Sequence, residues 1–464
     1  MTKTRIEADS MGEFKVPADA LYGATTARAV ENFQISEKPF PKTFIQMFAE
    51  LKFACAKANE QLGKLDKKLS HEIQEAAKQV AEGKYYEHFP IDVFQTGSGT
   101  STNMNVNEVI ANIANLKCGN AIGSKKPVHP NDHVNMGQSS NDTMPTVIHL
   151  AAAKQIKSEL LPALSGLQKA LEKKAKEFDD IIKIGRTHLM DATPIRLGQE
   201  IGGFAAQVKH GRLALEKALP SLYELALGGT AVGTGINTHP QFSKKVCKVL
   251  AERTGLEVRE AENHFAAQGA KDACVEVSGA LKLVASALLK IADDIRLLAS
   301  GPRAGFAELV LPALQPGSSI MPGKVNPVIP EVVTQVAVQV IANDLAITYG
   351  SALGRLDLNV FMPLIACNLL ESIQLLANAA KAFDKKCIAG LEANRKRCEE
   401  LVEQSLMLAT PLAPHIGYDK AAALAKKAHK EGKTIRQVAT AEKVLPATEL
   451  KHLLDVSGMT TPQE

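Results

Sequence analysis

Three stretches of the chain concentrate small polar side chains among glycines and prolines. They are Gly97–Asn107, His129–Thr146 together with Arg186–Thr193, and Gly317–Glu331. Ser, Thr and Asn side chains and loop N–H groups can donate hydrogen bonds to carboxylate oxygens. Lys324 adds a positive charge, and His188 can move a proton near neutral pH. A donor set of this kind suits a small dicarboxylate. Taken alone, each stretch also fits helix caps and turns, where the same residue types are favoured.

Other chemistries find less support. Gly97-Ser98-Gly99 lacks the third glycine of a dinucleotide loop, and its flanks read as helix rather than βαβ. No GxxxxGK[ST] phosphate loop is present. His129, Asp132 and His133 crowd together, but Pro130-Asn131 between them breaks helical spacing, so no metal is expected. Seven cysteines are scattered without a CxxC pair, which reads as reduced thiols rather than a zinc site or an iron–sulfur cluster.

Long helices must position these patches. The pattern predicts an irregular lead-in over 1–50, with helix beginning near Phe44. Further helix is expected over Val147–Lys183, with a polar break at 185–194, and over Leu197–Leu227. Val277, Leu281, Val284, Leu288, Ile291, Ile295 and Leu298 alternate steps of four and three, a heptad seam. Leu283, Leu289, Ala292 and Leu297 lie off that seam, so the helix is apolar on more than one side. Val332–Leu353 and Asn359–Phe383 are similarly poor in charge. Three such helices predict a bundle shared between subunits. Five prolines within 301–330 predict a long irregular, functional loop. The chain from Arg395 onward reads as a small helical end domain.

Composition narrows the class. Fifty-four Lys and Arg against fifty Asp and Glu leave a net charge of +4, too balanced for bulk attraction to nucleic acid. Tryptophan is absent and aromatics are 5%, which disfavours base stacking. No uninterrupted apolar run reaches the ~18–20 residues of a membrane span. The N-terminus has no apolar leader segment, which gives the expectation of a cytoplasmic protein.

GSSIMPGKVNP at 317–327 resembles the signature loop of the fumarase/aspartase superfamily. So do QTGSGT (95–100), HPNDHVN (129–135), QSSNDT (138–143), GRTHLMDATP (185–194), LGGTAVGTGINTHP (227–240), LASGPRAG (298–305) and HIGYDKAA (415–422). Ser139-Ser140-Asn141, Gly323 and HIGYDKAA look like the fumarase branch. Ser101-Thr102 and Val328–Glu331 look more like aspartase, which stays the alternative, with a non-catalytic scaffold more remote.

The resemblance implies a mainly α, three-segment fold with a long central helical bundle forming a tetrameric core. Its segments would be 1–138, 139–394 and 395–464. It implies reversible hydration of fumarate to (S)-malate, without metal or organic cofactor. It assigns catalysis to His188, Ser318 and Glu331. Substrate binding falls to Ser98, Gly99, Thr100, Ser139, Ser140, Asn141, Thr187, Ser319, Lys324, Val325 and Asn326. A second anion site would use Lys126, His129, Pro130, Asn131 and Asp132. Each active site would be shared by three subunits of a homotetramer, with no nucleic-acid or membrane partner.

Overall fold

The structure, a computed structural model, describes residues 3–462. Its elements in chain order begin with the strands β1 (Thr4–Asp9) and β2 (Gly12–Pro17). The helices α1 (Ala24–Asn32), α2 (Lys42–Gln61), α3 (Lys67–Ala81), α4 (Thr100–Lys117), α5 (Ser140–Gln155) and α6 (Leu161–Glu177) follow. A second hairpin, β3 (Ile182–Thr187) and β4 (Met190–Arg196), precedes α7 (Leu197–Ala218), α8 (Phe242–Thr254) and α9 (His264–Gly269). Next come the long helices α10 (Asp272–Leu298), α11 (Val328–Ala352) and α12 (Met362–Phe383). Helices α13 (Arg395–Gln404), α14 (Ala413–Ile416), α15 (Tyr418–Glu431), α16 (Ile435–Glu442) and α17 (Ala447–Leu453) complete the chain. The fold is mainly α, and the sheets are two-stranded.

Two compact units are present. The first takes in residues up to Pro162, Leu213–Ala285 and Val338–Ala377. The second takes in Ala163–Arg212, Ser286–Ala337 and residues from Asn378 onward. This grouping follows compactness in space, whereas the 1–138, 139–394 and 395–464 division is linear.

The first unit packs around α2. Phe40, Phe44 and Phe48 are buried; Phe40 stacks on Phe44 at 4.2 Å, and Phe44 meets Phe48 edge-on at 5.9 Å. Asp66 caps α3 by accepting the N–H groups of Lys68 and Leu69. Gly255, at φ 71°, ends α8 in the left-handed conformation glycine tolerates. In the second unit, Val402, Leu408, Leu412, Leu424, Ile435, Val438, Leu450 and Leu454 close a core with Ile184 of β3.

The heptad seam of α10 is buried throughout, from Val277 to Leu298. Off it, Leu283 and Leu297 are exposed in the single chain. On α11, Val332, Val338, Ile341, Leu345 and Tyr349 are exposed as well. By length and composition α11 alone, among the described residues, could cross a membrane, although it carries Glu331 and Asp344.

The lead-in departs from expectation. Residues 4–17 form an antiparallel hairpin and 24–32 a helix. The alternation in Arg5-Ile6-Glu7-Ala8 is a short strand signal, and Arg5 fixes it by donating to the carbonyls of Pro17 and Tyr22. The helix expected over 147–183 starts earlier, at Ser140. It passes through a π-turn at 156–160 and gives way to β3 at Ile182.

His149 on α5 is buried, and its Nδ1–H donates to the Glu224 carbonyl at 2.8 Å. Burial pulls its pKa from 6.5 down to about 4. The unfolded chain binds a proton below 6.5 and the folded chain only below about 4. This group's stabilisation is therefore complete above 6.5 and is lost as pH falls towards 4. Denaturant titrations across that window should show a fall of up to about 3 kcal/mol that His149→Gln abolishes.

Candidate active site

In the first unit, Ser98, Thr100 and Ser140 form a connected run of hydroxyls. Ser98 Oγ lies 2.8 Å from Thr100 Oγ1, which lies 2.6 Å from Ser140 Oγ. Two helix N-termini, those of α4 and α5, thus meet at one point, and both favour a bound anion. The turn before α4 has no room for a side chain at either of its glycines. A Cβ on Gly97 would overlap the Val360 carbonyl, and one on Gly99 (φ 74°) would sit 2.6 Å from Met144. Gln95 Oε1 accepts from the Thr102 N–H and hydroxyl, which closes that turn.

Ser139 caps α5 reciprocally with Asp142. Asp142 is fully buried and accepts from Ser139 N at 2.9 Å, Gly228 N at 3.0 Å and Thr230 N at 2.9 Å. Burial lifts its pKa to about 6 against those N–H groups and Lys52, which oppose the rise. Asn141 Nδ2 donates to the Ala231 carbonyl at 2.8 Å. The glycine-rich loop at 227–235 is thereby bound to the Ser139–Asn141 turn.

His129 caps the π-turn Pro130–Val134; its Nδ1 accepts from Asn131 N and Asp132 N, each at 3.2 Å. His133 Nδ1 accepts from His129 N at 2.9 Å, and burial holds His133 below its ordinary pKa. Pro130 is buried, while Lys126, Asn131 and Asp132 are exposed. Among the described residues, no group of three or more His, Cys, Asp or Glu is placed to hold a metal ion.

In the second unit, the polar break at 185–194 is the β3–β4 hairpin. Its two-residue turn is His188-Leu189, at φ 57° and 59°. A turn of this kind normally takes Asn-Gly, so two ordinary side chains at positive φ store about 1–3 kcal/mol each. Thr187, His188, Leu189 and Met190 are exposed. The strand behind them is anchored by Glu308, which is fully buried. Arg186 donates to it from Nη1 at 2.8 Å and Nη2 at 3.2 Å, and Lys183 Nζ lies 3.5 Å away. The Arg186 guanidinium also lies 4.1 Å over the Phe306 ring.

Residues 317–326 close into a ring. Gly317 N donates to Lys324 O at 2.7 Å, and Asn326 Nδ2 donates to Gly317 O at 2.6 Å. A Cβ on Gly317 would sit 2.7 Å from that Lys324 carbonyl. Inside the ring, Ser318 Oγ accepts from Ile320 N at 3.2 Å and Met321 N at 2.9 Å. Two N–H groups aimed at a hydroxyl oxygen favour its deprotonated form. Ser319, Lys324 and Val325 are exposed, and Glu331 lies in the first turn of α11. Among the described residues of one chain, no hydrogen bond or ion pair joins His188 to Ser318 or Glu331.

Sequence reasoning missed Asp142, Glu308 and Lys52. The Ser-x-x-acid spacing of a capping box pointed to Asp142. Glu308 lies 122 residues from Arg186, and local pattern gave no sign of it.

A lyase family model matches residues 12–342, and a fumarase C C-terminal model matches 408–461. The chain belongs to the fumarase family of lyases. It is 52% identical to the mitochondrial fumarate hydratase 1 of Arabidopsis thaliana, covering 100% of this chain and 94% of that one. It is also 52% identical to the class II fumarate hydratase of Bordetella parapertussis, covering 95% of each. The solved class II fumarase of Schistosoma mansoni superposes with a TM-score of 0.96 at 40% identity over 100% of both chains. The expectation of a cytoplasmic protein is corrected by these fumarases. A mitochondrial relative matches along the whole chain beside a bacterial one, so the character of the N-terminus assigns no compartment. Family substrates are small dicarboxylates.

Glu308→Gln would leave Arg186 and Lys183 facing a neutral amide. The expected loss is about 3–5 kcal/mol of stability in denaturant titrations. A loss below about 1 kcal/mol would mean that the pair does not anchor the His188 hairpin.

Proposed function

We propose that the chain is a class II fumarate hydratase that interconverts (S)-malate and fumarate. Full-length identity of about half to fumarate hydratases from plants and bacteria carries this reading. The hydroxyl cluster at two helix N-termini supports it, because neutral donors there suit a carboxylate.

In this reading Ser98, Gly99, Thr100, Ser139, Ser140 and Asn141 bind one subunit's share of the dianion. Thr187, Ser319, Lys324, Val325 and Asn326 complete the pocket. Ser318 Oγ, stabilised as the alkoxide by the Ile320 and Met321 N–H groups, takes the proton from the malate methylene carbon. The electron pair moves into the adjacent carboxylate and gives an aci-carboxylate. That pair then forms the double bond as the C–O bond on the neighbouring carbon breaks. His188, directly or through a water, protonates the leaving hydroxyl, and fumarate and water result. Glu331 orients His188 from another subunit. Lys126, His129, Pro130, Asn131 and Asp132 form the second anion site. Its exposed Lys cannot make the bidentate contact an Arg would.

The active unit is a homotetramer with sites shared by three subunits, built from the 1–138, 139–394 and 395–464 segments. The exposed apolar residues of α10 and α11 support this, since each needs a covering surface.

Purified protein should generate the ultraviolet absorbance of fumarate from malate and not from aspartate. Turnover of aspartate alone would make it an aspartase. His188→Asn and Ser318→Ala should each lower kcat by about 100-fold or more. Dilution that yields fully active monomers, seen by light scattering, would remove the shared-site assembly.

A further inference from the structure

Lys52 lies in the middle of α2 with none of its surface exposed. Its ammonium donates to Asn103 Oδ1 at 2.8 Å, Gln138 Oε1 at 2.8 Å and Asn135 Oδ1 at 3.2 Å, with the Phe48 ring 5.6 Å away. All three acceptors are neutral amides. Among the described residues no carboxylate lies within ion-pair distance of it. A buried ammonium is costly. Three hydrogen bonds satisfy its protons, and the buried carboxylate that opposes its charge, Asp142 on α5, lies beyond ion-pair distance, so the charge still acts through a low-dielectric interior.

Each acceptor belongs to a segment already singled out. Asn103 stands one turn into α4 from Thr100. Asn135 ends the Pro130–Val134 turn. Gln138 immediately precedes Ser139. Asn103 Oδ1 also accepts from Thr143 Oγ1 at 3.2 Å, one turn into α5. One side chain of α2 therefore ties together α4, the Pro130–Val134 turn and the residue that precedes the Ser139 cap.

We propose that Lys52 is a positioning residue for carboxylate recognition, which fixes the Ser139–Asn141 turn and supplies a buried positive charge that favours the substrate dianion. The inference rests on the reading of that turn as a carboxylate site.

Burial draws the Lys52 pKa down to about 8. The groups around it whose pKa is shifted lie outside the window between pH 7 and 9. Asp142 of α5 titrates near 6 and His149 near 4. Burial pushes Cys55 on α2 up, and Cys247 on α8 up to about 12. The Pro130–Val134 turn and its cap carry His129, Asp132 and His133, the last held low. On α3 the carboxylate of Glu72 is paired with Lys117 of α4, and Glu108 of α4 is engaged with the backbone of residues 23–26. Loss of the Lys52 proton as pH rises through about 8 therefore weakens dianion binding.

The probe is succinate, which has both carboxylates but no hydroxyl to lose, used as a competitive inhibitor of malate turnover at constant ionic strength. In the wild-type protein its Ki should rise about fivefold to tenfold between about pH 7 and pH 9.5. In Lys52→Met the Ki at pH 7 should already be about tenfold higher and no longer depend on pH, with a smaller change in kcat. A flat wild-type profile overturns the proposal even if the variant does not fold, as does a Lys52→Met Ki within about twofold of wild type. Asn141→Ala separates the two levels. If it leaves Ki unchanged, the carboxylate assignment of the turn fails. If it weakens succinate while the wild-type profile is flat, only the role of Lys52 fails.

Discussion

The first unit's site depends on one buried carboxylate. Asp142 takes three backbone N–H groups from two segments, which the Asn141–Ala231 bond also holds together. One of those bonds closes the cap on which Ser139, Ser140 and Asn141 are mounted. The other two pull in residues 228–230, where Thr230 sits at φ 51°. Without that acceptor, the loop would have unsatisfied donors in the interior and the cap would open. The hydroxyls of Thr100 and Ser140 could not then stay 2.6 Å apart.

The second unit uses the same device with the sign of its partners changed. Glu308 is a buried carboxylate whose partners are Arg186 and Lys183 rather than N–H groups. It secures a strand whose free end carries His188 in a strained turn. Strain in an exposed turn persists only when the structure behind it is firmly held. In both units a hidden charge fixes the backbone, and small or exposed side chains are left free to meet a ligand. This division of labour fits a chemistry in which preorganised donors must face developing carboxylate charge without rearranging.

The long helices add a second constraint. Each of α10 and α11 buries one face within the chain and leaves apolar side chains on another. In the proposed assembly such helices serve as shared scaffolding, with the candidate polar residues at their N-terminal ends and in the flanking loops.

The sequence by itself determined the helical class, the α10 seam, the irregular loop before α11 and the family. These are local patterns: heptad spacing, proline density and contiguous blocks such as GSSIMPGKVNP. It also located the hydroxyl and amide residues, because caps announce themselves by residue type. It could not show that residues 4–17 pair as a hairpin, since six-residue alternation is a weak signal. Only the tertiary structure decided which hydroxyls meet and which buried charges hold them. Glu308 and Arg186 are 122 residues apart, and Lys52 finds acceptors 51, 83 and 86 residues away. Pairings at such separations depend on how helices pack, and no periodicity in the chain encodes them.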